Sequence, residues 1–284
     1  KFEEWFGGPH PPYWLFADYF LSARRWDEAE ATLRKAHRFQ PDAPLLHFCL
    51  ARVDLEQKRP EAALEHIEEC LREGSAELGS QPYSLLQTVL ASLGRGDELI
   101  ARLETVLAAD PGRLDAAEFL AVQYIEAERL DDAEKLFAIL LDKRPDPDVY
   151  AALVKIHRRK GRIESLLRLL GLVAGRDGSL DGLGGQLGAL TSDAVLLDKL
   201  FAEARRRFAA KPDALGPHAP LAAALLAREA KHDEIAKQFF ETAIHAAPGE
   251  AADTFLRWSA DLMARRRFGE AADTFRRGLR LKLT

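Results

Sequence analysis

The sequence predicts an all-α array of about eight antiparallel helix pairs. Three observations carry that expectation. Apolar residues fall at helical rather than alternating spacing, the same environments return every 33 to 36 residues, and prolines stand where one helix must stop and the next begin.

Lys1 to Pro12 carries Phe2, Trp5 and Phe6 followed by Gly7, Gly8, Pro9, Pro11 and Pro12. Such a density of helix breakers makes this stretch an N-terminal cap or the remnant of an upstream repeat. From Tyr13 to Pro41 two amphipathic segments are joined by Arg24 and Arg25, a connection that permits only an antiparallel pair. The second segment sets a column: Ala29, a large apolar residue at Leu33, a compact one at Ala36. The column returns at Ala63, Leu99, Ala133, Leu166, Leu200, Ala236 and Ala271, in steps of 34, 36, 34, 33, 34, 36 and 35 residues. First helices carry their own column at Phe16, Leu50, Leu86, Leu120, Leu153, Leu187, Ala223 and Trp258, each followed by a generally smaller residue that lets helix axes approach.

These units resemble tetratricopeptide repeats. The best copies are Tyr13, Phe16, Ala17, Phe20, Ala29, Leu33, Ala36 and Pro41, then Leu120, Ala121, Tyr124, Ala133, Phe137 and Pro145. The resemblance covers residues 13–284 and implies a right-handed superhelical α-solenoid whose concave face, lined by first helices, binds a protein or peptide partner. Residues 171–212 depart from the pattern. Seven glycines lie between Gly171 and Gly188, and each glycine inside a helix costs about 1 kcal/mol relative to alanine. The expectation there is a degraded first helix over Ser179–Leu190 and a long second helix over Ser192–Ala210 with Thr191 as its N-cap. A loop in place of the glycine-rich helix is the alternative.

Composition narrows the function. With 47% hydrophobic and 30% charged residues, and no apolar run near the roughly 20 residues of a membrane span, no membrane partner is expected. A net charge of −5 argues against nucleic acid as the main ligand. Cys49 and Cys70 read as small reduced residues rather than a disulfide framework, which suits a cytoplasmic protein. Lys1 and the lack of a signal-peptide pattern make the chain read as a fragment of a larger one.

No motif points to an enzyme, a metal or a cofactor. Gly182, Gly184, Gly185 and Gly188 lack the βαβ context of a dinucleotide loop. His66 and Cys70 lack the second ligand pair of structural zinc, so His66 reads as an exposed histidine beside a buried cysteine. The triplets Arg205–Arg207 and Arg265–Arg267 fan around their helices and read as solvated helix ends.

The inner face implied by the resemblance supplies the candidate binding residues: Trp14, Asp18, Phe48, Arg52, Glu118, Val122, Lys155, Arg158 and Arg159, with Ser84 and Thr88 between them. The lysines and asparagines by which some relatives grip a terminal carboxylate are not reproduced at the first three repeats. What results is a groove apolar near its N-terminal end and basic around Lys155. Trp14 and Phe48 either face a partner there or pack within the array. The reading is a protein-interaction scaffold, with a substrate-recruiting arm of a larger enzyme as the alternative. The last helix lacks a polar capping partner, so the protein either continues past Thr284 or self-associates through this end.

Overall fold

The computed structural model describes residues 13–74 and 76–282, and the cap expected at residues 1–12 lies outside them. The described residues form sixteen α-helices and no strand, and the chain divides into two compact units, Lys1–Leu136 and Phe137–Thr284.

In the first unit the helices run α1 (Tyr13–Ser22), α2 (Trp26–His37), α3 (Pro44–Glu56), α4 (Pro60–Glu73), α5 (Gln81–Ser92), α6 (Leu99–Ala109) and α7 (Leu114–Glu126), then enter α8 (Leu130–Lys143). Proline opens α3 and α4 at the position where its missing N–H has no partner to lose. The periodic columns are the core: Ala29, Leu33, Ala63, Ile67, Cys70, Leu103 and Ala133 are fully buried, as are the first-helix residues Ala51 and Ala121. Alanine at 51 and 121 removes the bulk that would otherwise hold neighbouring helices apart. At the seam between third and fourth hairpins the buried Tyr83 hydroxyl donates to Asp115 Oδ2 at 2.7 Å and accepts from Arg113 Nη2 at 2.9 Å.

Each regular hairpin turns through one left-handed residue. Arg24, Lys58, Gly94 and Glu128 have φ between 54° and 68° in the first unit, and Gly161, Lys231 and Arg266 lie between 60° and 64° in the second. The residue after each donates its N–H back across the helix end, as Arg59 does to Asp54 O at 2.8 Å and His232 to Ala227 O at 2.8 Å. This closes the helix by satisfying carbonyls that would otherwise be left open. Arginine follows the left-handed residue in six of the seven turns, and Arg25, Arg95, Arg129 and Arg267 each bind the carboxylate three residues on. A lysine in this conformation is strained where glycine is not. Lys231→Gly is therefore expected to raise stability by about 1 kcal/mol, read as a higher urea midpoint with an unchanged slope.

The second unit contains α9 (Pro147–Arg159), α10 (Ile163–Asp177), α11 (Gly185–Thr191), α12 (Ala194–Ala210), α13 (Ala219–Glu229), α14 (Asp233–Ala246), α15 (Ala251–Ala264) and α16 (Phe268–Lys282). Here the alternation breaks. α10 packs directly on α13 instead of on the helix that follows it. The glycines explain how. A Cβ at Gly171 would stand 2.9 Å from the Ala219 backbone, one at Gly175 would run into the His218 ring, and Gly178, left-handed at φ 67°, receives Arg257 Nη1 on its carbonyl at 3.0 Å. Gly171 and Gly175 make room for the close approach of α10 and α13, and Gly178 for the Arg257 guanidinium of α15. Gly184, Gly185 and Gly188 have no such neighbours.

Two expectations for this region are corrected. The first helix of the pair is shorter than Ser179–Leu190: a 3₁₀ turn at Asp181–Leu183 and then seven residues of α11. Thr191 does not cap α12, because its hydroxyl bonds back to the Leu187 and Gly188 carbonyls; Asp193 caps instead, accepting from Leu196 N at 3.0 Å. On α12 Leu197, Phe201, Ala204 and Phe208 form the buried stripe, while Arg207 pairs with Glu203 and Glu164. That stripe lies against α13 and α14, with the Phe201 and Phe208 rings each 5.9 Å from Phe239. No left-handed turn joins α11 to α12.

The last two hairpins are regular. Phe240 is 1% exposed and stacks on Trp258 at 5.4 Å. On α16, Ala271, Thr274 and Gly278 turn inward and Phe268, Phe275 and Leu279 are exposed. Phe275 thus departs from the buried column of Leu33, Ile67 and Leu103, whose members lie beneath a following hairpin. The reading of Arg265–Arg267 as a solvated end is corrected: Arg265 and Arg267 are half-buried and both reach Asp233 of the preceding hairpin.

Candidate basic cleft

α9 is amphipathic. Val149, Tyr150, Leu153, Val154, Ile156 and His157 are buried, which turns the opposite face of its last turns to solvent. Lys155, Arg158 and Arg159 stand at spacings of three and four on that face, where side chains are neighbours. Opposite them the first turns of α12 bring Val195 and Lys199, both exposed, above the buried Leu196 and Leu197. With Gly161, Ile163 and Asp193 these residues line a cleft of about 480 Å³.

Four basic side chains therefore surround one acidic one. Asp193 is already engaged by the backbone of its own helix. Among the described residues neither Lys155 nor Lys199 has an ion-pair partner. Arg158 Nη1 reaches Gln186 Oε1 at 3.5 Å, while its Nε is sealed from solvent with no hydrogen-bond partner among the described residues. A buried donor without an acceptor is costly. The cleft is thus a concentration of positive charge beside the apolar surface of Val195, Leu196 and Ile163, in a chain whose net charge is −5.

Of the nine residues expected from the sequence, the structure brings three together here and adds Lys199. The side chains of Trp14 and Asp18 lie outside the described residues. Phe48 is 6% exposed and packs within the array, with the Arg52 guanidinium 5.8 Å above its ring. Arg52 is exposed, Glu118 half-buried and Val122 exposed, each on its own first helix. Lys199 was not signalled because its approach to α9 depends on α11 being short, which no spacing in the sequence reveals.

A second hollow, of about 570 Å³, lies between α4 and α6 over Leu71, Leu86 and Val106. Its arginines are engaged: Arg102 with Glu98 and Glu68, Arg72 with Glu69 and Glu73, Arg113 with Leu71 O and the Tyr83 hydroxyl. No arginine is left over there to select an anionic ligand. No group of metal-ligating residues occurs among the described residues. Burial pushes the Cys70 thiol up to about 12, which keeps it protonated and unreactive. No described helix is long and apolar enough to cross a membrane.

The tetratricopeptide repeat family model matches residues 90–156. No curated protein matches the sequence. Among solved structures, YrrB, described as a TPR protein with an unusual peptide-binding site, is 19% identical, with 64% of this chain and 93% of that one covered at a TM-score of 0.40. Pseudomonas aeruginosa pilF is 17% identical, with 84% and 91% covered at 0.43. The C-terminal part of a TPR repeat-containing protein from Cytophaga hutchinsonii is 15% identical, with 94% and 92% covered at 0.38.

Proposed function

We propose that this chain, which carries tetratricopeptide repeats, is a non-catalytic protein-interaction scaffold whose second unit receives an acidic segment of a partner protein in the cleft between α9 and α12. The carrying observation is the set of Lys155, Arg158, Arg159 and Lys199 around an apolar floor. Carboxylates of the partner pair with Lys155 and Lys199, and an aliphatic side chain covers Val195 and Leu196. Cys49 and Cys70, the only two cysteines in the chain, fit a reducing compartment such as the cytoplasm.

The test uses a fluorescein-labelled decapeptide of aspartate and glutamate with one central leucine, set against its asparagine and glutamine counterpart. Wild-type protein is expected to raise the anisotropy of the acidic peptide only, with affinity falling as salt is added. Lys155→Glu with Lys199→Glu replaces exposed, unpaired side chains, so thermal stability should hold while affinity drops about tenfold or more, near 1.4 kcal/mol. Equal binding of both peptides, or binding that survives the double substitution, would remove the cleft from the reading.

A further inference from the structure

Four titratable groups meet at the seam between the first two hairpins. His37 ends α2, His47 stands in the first turn of α3, Asp54 lies two turns further along it, and His66 sits midway along α4. Ring centroids are 5.2 Å apart for His37 and His47 and 5.6 Å for His47 and His66. His47 and Asp54 are 6% and 3% exposed. His47 Nε2 lies 2.7 Å from the Pro41 carbonyl, His47 Nδ1 lies 3.4 Å from His66 Nδ1, and His66 Nε2 lies 3.7 Å from Asp54 Oδ2.

The contacts dictate where protons can sit. A carbonyl only accepts, so His47 Nε2 carries a hydrogen, and neutral His47 then offers a lone pair at Nδ1. His66 Nδ1 must donate to it. A proton added to His66 would occupy Nε2, facing Asp54. No second proton has a place. On His47 it would set two N–H groups against each other. On His37 it would charge a ring whose Nδ1 is sealed from solvent with no acceptor among the described residues. Either would put two imidazolium rings within 5 to 6 Å of each other or of a common neighbour.

The charged surroundings leave this intact. Arg34 of α2 adds positive charge, Asp42 of the α2–α3 loop opposes it beside His37, and Arg59 before α4 already holds Asp54 at 2.6 Å and Glu30 of α2 at 2.9 Å. Burial, with repulsion from His47, holds His37 and His66 below the ordinary histidine range, although Asp54 pulls His66 back up. Burial also raises Asp54.

We propose that this seam is a proton-operated clasp, holding hairpin α1–α2 against hairpin α3–α4 in neutral solution and releasing it in mildly acidic solution. Release would bare Leu33 and Ala36 on α2 and Leu46, Leu50 and Val53 on α3, which share one apolar cluster. The sign follows from proton counts. Below about 6.5 the opened chain protonates His37 and His66 while the closed seam still holds both back, so the clasp is at full strength above that pH and weakens as pH falls. Asp54 acts in the opposite sense, in a window that opens upward from its ordinary value of 3.8. With two protons taken up on opening, the opening constant climbs up to about a hundredfold per pH unit at its steepest.

Amide exchange by mass spectrometry, corrected for intrinsic pH dependence, tests this on the whole chain. Between pH 7.5 and 5.5, peptides from α2 should show an opening constant rising at least tenfold while peptides from α13 and α14 stay level. His37→Gln with His66→Gln should flatten the α2 response to under threefold. If the double variant does not fold, imidazole proton resonances of the wild type decide: His37 and His66 should titrate below 6.5, in step with α2 opening. Parallel behaviour of α2 and α13–α14, a pH response that survives the double substitution, or titration at or above 6.5 would overturn the clasp.

Discussion

Phe240→Ala is expected to lower the stability of the second unit by about 3 to 5 kcal/mol, the range for emptying a fully buried phenylalanine site. The ring is 1% exposed and lies nearly parallel to Trp258, which in turn faces Phe255 at 6.3 Å. Truncation leaves a void that two stacked aromatics on α15 cannot both relax into. Urea unfolding followed by tryptophan emission reads the loss. Phe275 occupies the same column position and is 43% exposed, so Phe275→Ala should cost under about 1 kcal/mol. Similar losses at the two sites would mean that the column does not describe these environments in the last two hairpins.

Gly171→Val should destabilise the same unit by about 2 to 3 kcal/mol, through overpacking rather than a void. The added Cβ would lie 2.9 Å from the backbone of Ala219, which cannot swing aside as a flexible side chain can. Helix propensity pulls the other way by some tenths of a kcal/mol and does not compensate. Gly188→Ala provides the contrast. It lies within α11, and the space its new methyl group would take has no other atom within 4 Å, so a gain of about 0.5 to 1 kcal/mol is expected. Chemical denaturation of the two variants should therefore move in opposite directions. If Gly171→Val were neutral, α10 and α13 would not be in the close contact described.

The helix pairs were legible because burial in a repeat is periodic. Ala29, Ala63, Ala133 and Ala236 recur at one spacing and all prove buried. The hairpin turns were less so, since five of the seven left-handed positions hold arginine, lysine or glutamate rather than the glycine that would mark them. The glycines between 171 and 188 carried a signal that composition reads only one way. Glycine both weakens a helix and lets another approach it, and which effect governs Gly171 depends on Ala219, 48 residues later. The basic cleft was half legible: the spacing of Lys155, Arg158 and Arg159 is local, while Lys199 comes from another helix pair. His66 read as an exposed histidine because its partner His47 lies 19 residues away on a neighbouring helix.

The left-handed turns also measure the irregular segment. From Gly161 to Lys231 there are 70 residues without a hairpin turn of this kind, where each other interval spans 33 to 36. An inserted element is free to have any length, yet this gap equals two ordinary intervals. Chain length across α11 and α12 matches that of one further hairpin, so the cleft beside Lys155 stands where the series keeps its count of residues but not its turn.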